Sequence, residues 1–307
     1  MRDAIISFPL FGDFSINPPA SFDIFGFALH FYGILLGTGF ILGTIYAMRR
    51  ARQFDLTGDD VLDYLMFAVP GALIFTRLHF VLFSPNLMEY LRNPLTIITG
   101  IRTGGVTIHG AIFGAVLGCW ICAKIRKRSL ANILDLGAFG LLIGQMVGRW
   151  GNFINREIFG LETTVPWRMG LTRGDATIYV HPTFLYEMLW NLLGFLLLHF
   201  LFKPKKRVYQ GQIFIYYIGW YGLGRIWVEA LRDPAQNLFI EGAGISVSFL
   251  IAAGSVLFAI VADILLRKRA KKENLAYTEE KEEVAEEIEE IEEQSASTEP
   301  QEEESND

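Results

Sequence analysis

At residues 148–160 the chain reads Gly148-Arg149-Trp150-Gly151-Asn152-Phe153-Ile154-Asn155-Arg156-Glu157-Ile158-Phe159-Gly160. Two arginines, two asparagines and a glutamate therefore appear where an apolar run, Ile133 to Val147, has just ended. An ionisable residue in or beside an apolar membrane span costs about 2.5–3.5 kcal/mol on insertion scales, so such residues mark candidate functional sites. A polar helix end with glycine caps is the alternative interpretation of this stretch.

The composition is typical of a membrane protein with an acidic tail. Of the 307 residues, 51% are hydrophobic, which is high for a soluble protein. The net charge of -6 arises at the C-terminus, because residues 278–307 hold 15 Asp or Glu and one Lys. The rest of the chain is basic, with 26 Lys or Arg against 18 Asp or Glu. Residues 269–307 are therefore expected to be a largely disordered tail with some weak helix.

Seven apolar stretches are long enough to cross a bilayer as helices, which takes about 20 residues. They lie at about 24–48, 60–83, 106–124, 131–151, 184–202, 209–230 and 243–266. Basic clusters follow the first, third, fifth and seventh stretch, at residues 49–52, 124–128, 203–207 and 267–272. All four clusters share one side if the count is seven, and the positive-inside rule makes that side cytoplasmic. We therefore expect an all-α membrane protein with its N-terminus outside and its C-terminus in the cytoplasm.

This topology divides the chain into an outer segment, a membrane domain and the tail. Residues 1–23 are predicted to be an irregular or interfacial segment outside the membrane, and no signal peptide is expected. Residues 24–268 form the seven-helix domain, whose outward connections are 84–105, 152–183 and 231–242. The segment 152–183 is expected to form a small head, with a hairpin that turns at Thr172-Arg173-Gly174-Asp175.

Polar and ionisable side chains from six predicted spans converge on the outer third of the membrane. They are His30 and Tyr32, Arg77 and His79, His109, Arg149, His181 and Glu187, and Arg225 and Glu229. Each has a structural alternative, such as a helical i, i+4 pair for Arg225 and Glu229, outward snorkelling for Arg77, or a core position for His30. The convergence favours a functional site.

The arginines of this site indicate an anionic ligand. A planar guanidinium matches phosphate and keeps its charge when partly buried, so Arg149 and Arg225 are predicted to bind a phospholipid head group. No aspartate-rich motif lies nearby, and neither a metal, another cofactor nor a nucleic-acid partner is expected. Cys119 and Cys122 lie within an apolar run, where helix packing is favoured over redox or metal chemistry.

The stretch 148–160 matches Gly-Arg-x-Gly-Asn-Phe-x-Asn-x-Glu-x-x-Gly at every fixed position, and this pattern resembles the prolipoprotein diacylglyceryl transferases of bacterial membranes. The resemblance covers about residues 8–268, without segment 161–180. Further matching pieces are His30-Phe31-Tyr32-Gly33, Gly104-Gly105-Val106-Thr107-Ile108-His109-Gly110, His181-Pro182-x-x-x-Tyr186-Glu187 and Tyr221-Gly222-x-x-Arg225-x-x-x-Glu229. One departure is Ala111, which follows Gly110 where the family often has a second glycine.

The resemblance implies a transferase that moves the diacylglyceryl group of phosphatidylglycerol to the lipobox cysteine of a prolipoprotein. A thioether forms and glycerol 1-phosphate is released. The implied location is the bacterial cytoplasmic membrane, with the active site on its extracytoplasmic side.

This reaction suggests roles for the polar residues. Arg149 is expected to bind the lipid phosphate with Asn152 and Asn155 as orienting donors. Arg225 is expected to be the second phosphate clamp, aligned by Glu229 one turn away. The remaining predicted contacts are Tyr32, His30 and Tyr221 in the head-group pocket, and Glu157 and Gly160 holding the loop after Arg149.

His109 is the candidate general base, because an imidazole titrates near neutrality and the attacking group is a thiolate. Two alternatives stay open: His109 could hydrogen-bond the lipid, and the arginine field alone could favour the thiolate.

Three other functions compete with the transferase. A transporter or binding protein for an anionic lipid or solute would place its site at the midplane, often between internal repeats, and no repeat is visible. A serine hydrolase lacks its Gly-x-Ser-x-Gly motif. A non-catalytic scaffold for anionic lipid would need the arginines but not His109.

Overall fold

A computed structural model describes residues 3–12, 14–99, 104–105, 107–202, 204–234, 239 and 244–296. Its helices are α1 Phe31–Arg50, α2 Gly58–Leu82, α3 Leu87–Arg92, α4 Leu95–Thr99, α5 Ile108–Arg126, α6 Leu130–Asn155, α7 Thr183–Leu201, α8 Gln212–Ala230 and α9 Val247–Ala296. Its strands are β1 Ile5–Ser7, β2 Ser15–Ile16, β3 Ser21–Ile24, β4 Phe27–His30, β5 Met169–Arg173 and β6 Ala176–Val180. Residues up to Ile260 form one compact unit, and α9 from Val261 onward belongs to a second.

The chain is predominantly helical, as expected of a multi-pass membrane protein. Within the described residues, six helical segments are long and apolar enough to cross a membrane. They are Phe31–Phe54, Gly58–Leu82, Ile108–Arg126, Leu130–Asn155, Thr183–Leu201 and Val247–Asn274. Helix α8 is not one of the six; it has 19 residues and carries Gln212, Arg225 and Glu229. The predicted count of seven membrane spans is therefore reached only if α8 also crosses the membrane.

The expectation of an all-α fold is wrong, because residues outside the long helices form a sheet. Its antiparallel strand order is β2-β1-β5-β6, and Ile6 of β1 pairs with Leu171 of β5. The N-terminal segment is thus part of the head and not irregular. A strand partner about 165 residues away leaves no local signal, so the pairing could not be read from the sequence.

The predicted head hairpin is present as β5 and β6. Arg173 pairs with Ala176, so the turn is Gly174-Asp175 and the hairpin is centred one residue later than predicted. Gly174 has a φ of +60°, a conformation that glycine adopts without a steric cost. The sheet packs its inner face on the end of α6 and the start of α7, through Ile6, Leu171, Val180, Phe153 and Phe184.

Two further boundaries differ from the prediction. The first long helix begins at Phe31 and not at residue 24, because residues 21–30 form the hairpin β3–β4. Helix α9 continues to Ala296, past the predicted end of the seventh span at residue 266 and into the tail, for which a largely disordered chain with some weak helix was expected. Glutamate and lysine both have a high helix propensity. Residues 297–307 lie outside the described part, as do 235–238 and 240–242 of the last outward connection and residue 243, the predicted start of the seventh span.

Close helix contacts hold the long helices together. Helix α1 packs on α6, and α2 packs on α5. A Cβ on Gly118 would lie 2.7 Å from the carbonyl carbon of Phe67, so the α2–α5 contact requires glycine there. Cys122 is buried and Cys119 partly buried in the same helix, and neither forms a disulfide. Their packing role is thereby supported.

Candidate functional site

Arg149 lies in the last two turns of α6 and points toward α7. Its guanidinium forms an ion pair with Glu187, and its Nη1 donates a hydrogen bond to Asn152 Oδ1 at 3.2 Å. Helix α6 extends to Asn155, so Arg149 and Asn152 are one turn apart on the same face. The local helix therefore places the amide of Asn152 where it orients the arginine.

Glu187 is the centre of the cluster because three arginines surround its carboxylate. Besides Arg149, Arg232 donates from Nη2 to Glu187 Oε1 at 2.6 Å, and Arg225 Nη1 lies 3.9 Å from the same oxygen. Glu187 and Arg232 are both buried. A buried carboxylate is stable only when charges or donors compensate it, and here the compensation comes from α6, from α8 and from Arg232, the second residue after α8.

Arg225 pairs with Glu229 one turn further along α8. The two charged atoms lie 2.9 Å apart but without hydrogen-bond geometry; Arg225 Nη2 donates instead to Ser248 Oγ at 3.3 Å. Ser246 Oγ donates to Glu229 Oε1 at 2.8 Å. We call Arg149, Arg225, Arg232, Glu187 and Glu229 the outer cluster. It contains three cations and two carboxylates, an excess of one positive charge.

A small, partly open pocket adjoins the outer cluster. Arg149, Glu187, Arg225 and Tyr221 line it, together with Trp190, Asn191, Gly224 and Val228. Tyr221 was predicted to be here. Two of the three outer arginines, Arg149 and Arg225, therefore border an open pocket, whereas Arg232 does not line it.

Paired tryptophans set the spacing of α7 and α8 at this pocket. The rings of Trp190 and Trp220 stack with centroids 4.2 Å apart, and each Nε1 donates to the other's carbonyl at 3.0 Å. A Cβ on Gly194 would lie 2.6 Å from Trp220 Cδ1, and Gly224 is just as close to Trp190. This reciprocal packing fixes Glu187 of α7 relative to Arg225 of α8.

Glu157 and Gly160 hold the segment that follows α6. Glu157 Oε1 accepts hydrogen bonds from the side-chain amides of Asn152 at 3.0 Å and Asn155 at 3.2 Å. Gly160 N donates to His181 O at 2.9 Å, and a Cβ there would lie 2.6 Å from Leu231 O. In the described residues Glu157 makes no ion pair, so it reaches Arg149 only through Asn152.

Arg156 has a structural role that the pattern of residues did not suggest. It ends α6 with a φ of +51° and donates to Ala4 O at 3.0 Å, Pro18 O at 2.6 Å and Asn17 Oδ1 at 2.6 Å. Burial lowers the pKa of this guanidinium from its usual value, although Asp3 opposes the shift. Arg156 thereby ties the N-terminal segment to the end of α6.

The predicted histidines lie apart from the outer cluster. His109 begins α5 and is exposed, with its ring 6.2 Å from that of His79 on α2. Among the described contacts, none joins His109 to Arg149 or Arg225. His30 is the exposed last residue of β4, outside the first long helix. Tyr32 does reach the signature stretch, since its ring packs directly against Gly151.

Arg77 is buried and does not snorkel outward. Its guanidinium donates to the carbonyls of Ile97 at 2.7 Å and of Thr96, Gly104 and Gly105 at 3.1 Å. These four bonds fasten the connection between α2 and α5, so Arg77 positions the start of α5.

Sequence reasoning missed Arg232 and gave Glu187 no role. Glu187 belongs to a matched motif, but it comes shortly after the proline of that motif, near the predicted start of a helix. In the sequence it therefore looks like an ordinary carboxylate at a helix N-terminus. Arg232 follows Glu229 by three residues and Arg225 by seven, a spacing that continues one helical face. This helical spacing from Arg225 and Glu229 was the sequence signal that could have identified Arg232.

Comparisons with known proteins identify the family of the chain. Residues 19–265 match the protein family described as prolipoprotein diacylglyceryl transferase. A phosphatidylglycerol–prolipoprotein diacylglyceryl transferase of Bacillus cereus (strain 03BB102) is 38% identical over 250 residues, which are 79% of this chain and 89% of that protein. The Bacillus cytotoxicus protein of the same name is 37% identical with the same coverage. The chain belongs to the prolipoprotein diacylglyceryl transferase family.

Proposed function

We propose that this chain transfers the diacylglyceryl group of phosphatidylglycerol to the lipobox cysteine of a prolipoprotein. A thioether forms, glycerol 1-phosphate leaves, and the product enters lipoprotein maturation. The observation that carries the proposal is the outer cluster, whose excess positive charge borders an open pocket between α6, α7 and α8. The family name and the relatives' names supply the two substrates.

In this reaction the thiolate sulfur bonds to the glyceryl CH2 carbon as the bond from that carbon to the phosphate oxygen breaks. The electron pair of the broken bond stays on the leaving phosphate, which therefore gains negative charge. Cations placed on that oxygen stabilise the transition state more than the ground state. Arg149 and Arg225 are the proposed cations, because both line the pocket. Glu187 and Glu229 hold them in place.

Arg149 is oriented by a chain of hydrogen bonds that ends at Glu157. Asn152 accepts from Arg149 and donates to Glu157, and Asn155 donates to the same oxygen. Both amides are thus committed to this chain, so we expect them to orient Arg149 rather than to contact the phosphate while the chain is intact. Tyr221 lines the same pocket.

His109 is the proposed general base, which accepts the thiol proton. It is exposed at the start of α5 and is therefore accessible to a substrate thiol. We expect His109→Gln to lose activity that partly returns at high pH, where the thiol ionises by itself. A flat pH response would assign the base elsewhere.

The proposed topology has seven spans, with α8 as the sixth in chain order. The N-terminus, the head and the outer cluster then lie on the extracytoplasmic side of the bacterial cytoplasmic membrane. The basic clusters lie in the cytoplasm, as the positive-inside rule requires. Enzymatic reporters fused after Asp55 and after Asp233 test this: the second fusion is active outside only if α8 crosses the membrane.

One assay tests the activity itself. Purified protein is incubated with phosphatidylglycerol labelled in its acyl chains and with a lipobox peptide. We expect label on the peptide through a thioether and one glycerol 1-phosphate released per modified peptide. A peptide whose lipobox cysteine is replaced by serine is the control. Lipid binding without transfer would identify a scaffold, and solute uptake into vesicles would identify a transporter.

A further inference from the structure

The hairpin β3–β4 projects from the protein, and its residues at positions 22–26 and 28–30 are exposed. Ser21 pairs with His30 and Ile24 with Phe27, which leaves the two-residue turn Phe25-Gly26. Within the described part, the hairpin contacts mainly α1, through the hydrogen bond from Phe31 N to Ala20 O and the packing of Phe22 on Phe31. An isolated two-stranded hairpin is at best marginally stable in water, so a covering partner is required.

The exposed surface of the hairpin is apolar. Phe25 at its tip is 98% exposed, and the other large exposed side chains are Phe22, Ile24 and Leu29. Asp23 is the single acidic residue between positions 20 and 48, and no lysine or arginine occurs there. The apolar character continues without a break into the uncovered face of α1, which presents Ile34, Phe40 and Ile41.

The turn places an aromatic ring where the backbone disfavours one. Phe25 has a φ of +50° and Gly26 a φ of +82°, the signs that a type I′ turn requires at both positions. Asparagine, aspartate or glycine is the favoured residue at the first of these positions, and a bulky side chain there is an outlier. Position 25 therefore carries a phenylalanine although the backbone conformation of the turn disfavours a bulky side chain there.

The hairpin β5–β6 of the head has the opposite character. Its turn is Gly174-Asp175, flanked by Arg173, and Met169, Leu171 and Val180 of its strands are buried against the protein. A supported hairpin here has a polar tip, while the unsupported one has an apolar tip. The contrast indicates that β3–β4 is covered by something other than this chain.

We propose that the hairpin β3–β4 lies in the lipid head-group layer of the leaflet where α1 begins, with Phe25 inserted at the boundary with the acyl chains. The continuity with the uncovered apolar side of α1, and the presence of Asp23 as the single acidic residue with no lysine or arginine, identify lipid as the occupant. The strand edges stay at head-group level, because unpaired backbone groups are not tolerated in the hydrocarbon core. Aromatic side chains are enriched at this depth. The ring anchors the outer end of α1, whose Tyr32 packs on Gly151 of the signature stretch.

Spin labelling tests the depth of the tip. Phe25→Cys carries a nitroxide in vesicles of equimolar phosphatidylglycerol and phosphatidylethanolamine, and Asp175→Cys on the polar hairpin is the matched control. The unsubstituted chain, taken through the same labelling, gives the background from Cys119 and Cys122. We expect position 25 to collide more often with oxygen than with a water-soluble nickel chelate, and position 175 to show the reverse.

One further label and one further substitution keep the test independent of the change at position 25. A label at Ile24→Cys is expected at a shallower depth than one at position 25, and adding Phe25→Asn is expected to move it into water. Phe25→Asn gives the turn its favoured residue, so the fold and its Tm are preserved. Nickel accessibility at position 25 equal to that at position 175 would overturn the proposal. Protection that arises only when a lipobox peptide is added would also overturn it, in favour of a peptide-docking hairpin.

Discussion

Helix α6 carries a buried charged cluster near each end, and the two differ in charge balance. At its start, Asp135 forms an ion pair with Arg207 and accepts from Gly211 N at 2.9 Å and Phe214 N at 2.8 Å. Arg207 also lies over the ring of Phe54, 5.0 Å from its centroid. One cation meets one carboxylate, every carboxylate oxygen has a donor, and Asp135 is completely buried.

The outer cluster, about 21 Å further along the helix, is unbalanced by comparison. Three cations meet two carboxylates, and Arg232 Nε and Glu229 Oε2 are buried without a hydrogen-bond partner among the described residues. It also opens into a pocket, which the inner cluster does not border. A buried ion pair whose charges and hydrogen bonds are all matched therefore indicates a structural role. A buried cluster with an excess charge beside a pocket indicates a ligand site.

The largest expected effect is on stability, at the inner cluster. Arg207→Ala leaves Asp135 buried without its cation, and removing one partner of a buried pair costs about 3–5 kcal/mol. We expect a large fall in Tm in detergent, while transfer activity per folded molecule is retained. Loss of activity in the folded fraction would show that the inner cluster takes part in the reaction.

A smaller effect is expected when the shape of an outer cation changes but its charge does not. Lysine at position 149 cannot make the two parallel contacts of a guanidinium, so Arg149→Lys should lose about 10- to 100-fold in kcat/KM, or roughly 1.4–2.7 kcal/mol. Arg173→Lys on the exposed turn of β5 is the control and should leave kcat/KM unchanged. Equal rates for both variants would mean that a point charge suffices at position 149.

A third variant tests the support of the outer cluster. Ser246 donates to Glu229 and accepts from Phe249 N at 3.1 Å at the start of α9. Ser246→Ala should cost about 1 kcal/mol of stability, seen as a lower Tm, because a helix cap and a carboxylate donor are lost together. Ser246→Thr keeps the hydroxyl and should restore most of the loss. An unchanged Tm in the alanine variant would show that Ser246 does not stabilise the outer cluster.

The smallest effect concerns pH and the head. Burial lowers the pKa of His181 from its usual value of 6.5, and its Nδ1 lies 3.1 Å from Tyr186 Oη. The unfolded chain therefore binds the proton more readily, and the stability contributed by neutral His181 is full above about pH 6.5 and is lost as pH falls toward the folded pKa. We expect Tm to fall between about pH 7.5 and 5.5 more steeply in the parent than in His181→Gln. Parallel curves would contradict this.

The long helices and the signature residues could be predicted because their signals are local. Apolar length gives the spans, and the spacing of Arg225 and Glu229 gives their ion pair. The pairing of β1 with β5 could not be predicted, since it depends on contacts between distant segments. The same limit applies to Glu187, whose importance lies in three arginines from separate parts of the chain. Residues 24–30 were assigned to a span because hydropathy does not distinguish a membrane helix from an apolar hairpin.

The central claim is that the excess cation of the outer cluster binds the phosphate that leaves in the reaction. The most direct measurement is single-turnover thioether formation by purified Arg149→Ala, beside the parent and Arg207→Ala, each normalised to folded protein. We predict a loss of about 2–4 kcal/mol in transition-state stabilisation for Arg149→Ala and no comparable loss for Arg207→Ala. Near-normal transfer by Arg149→Ala would contradict the account.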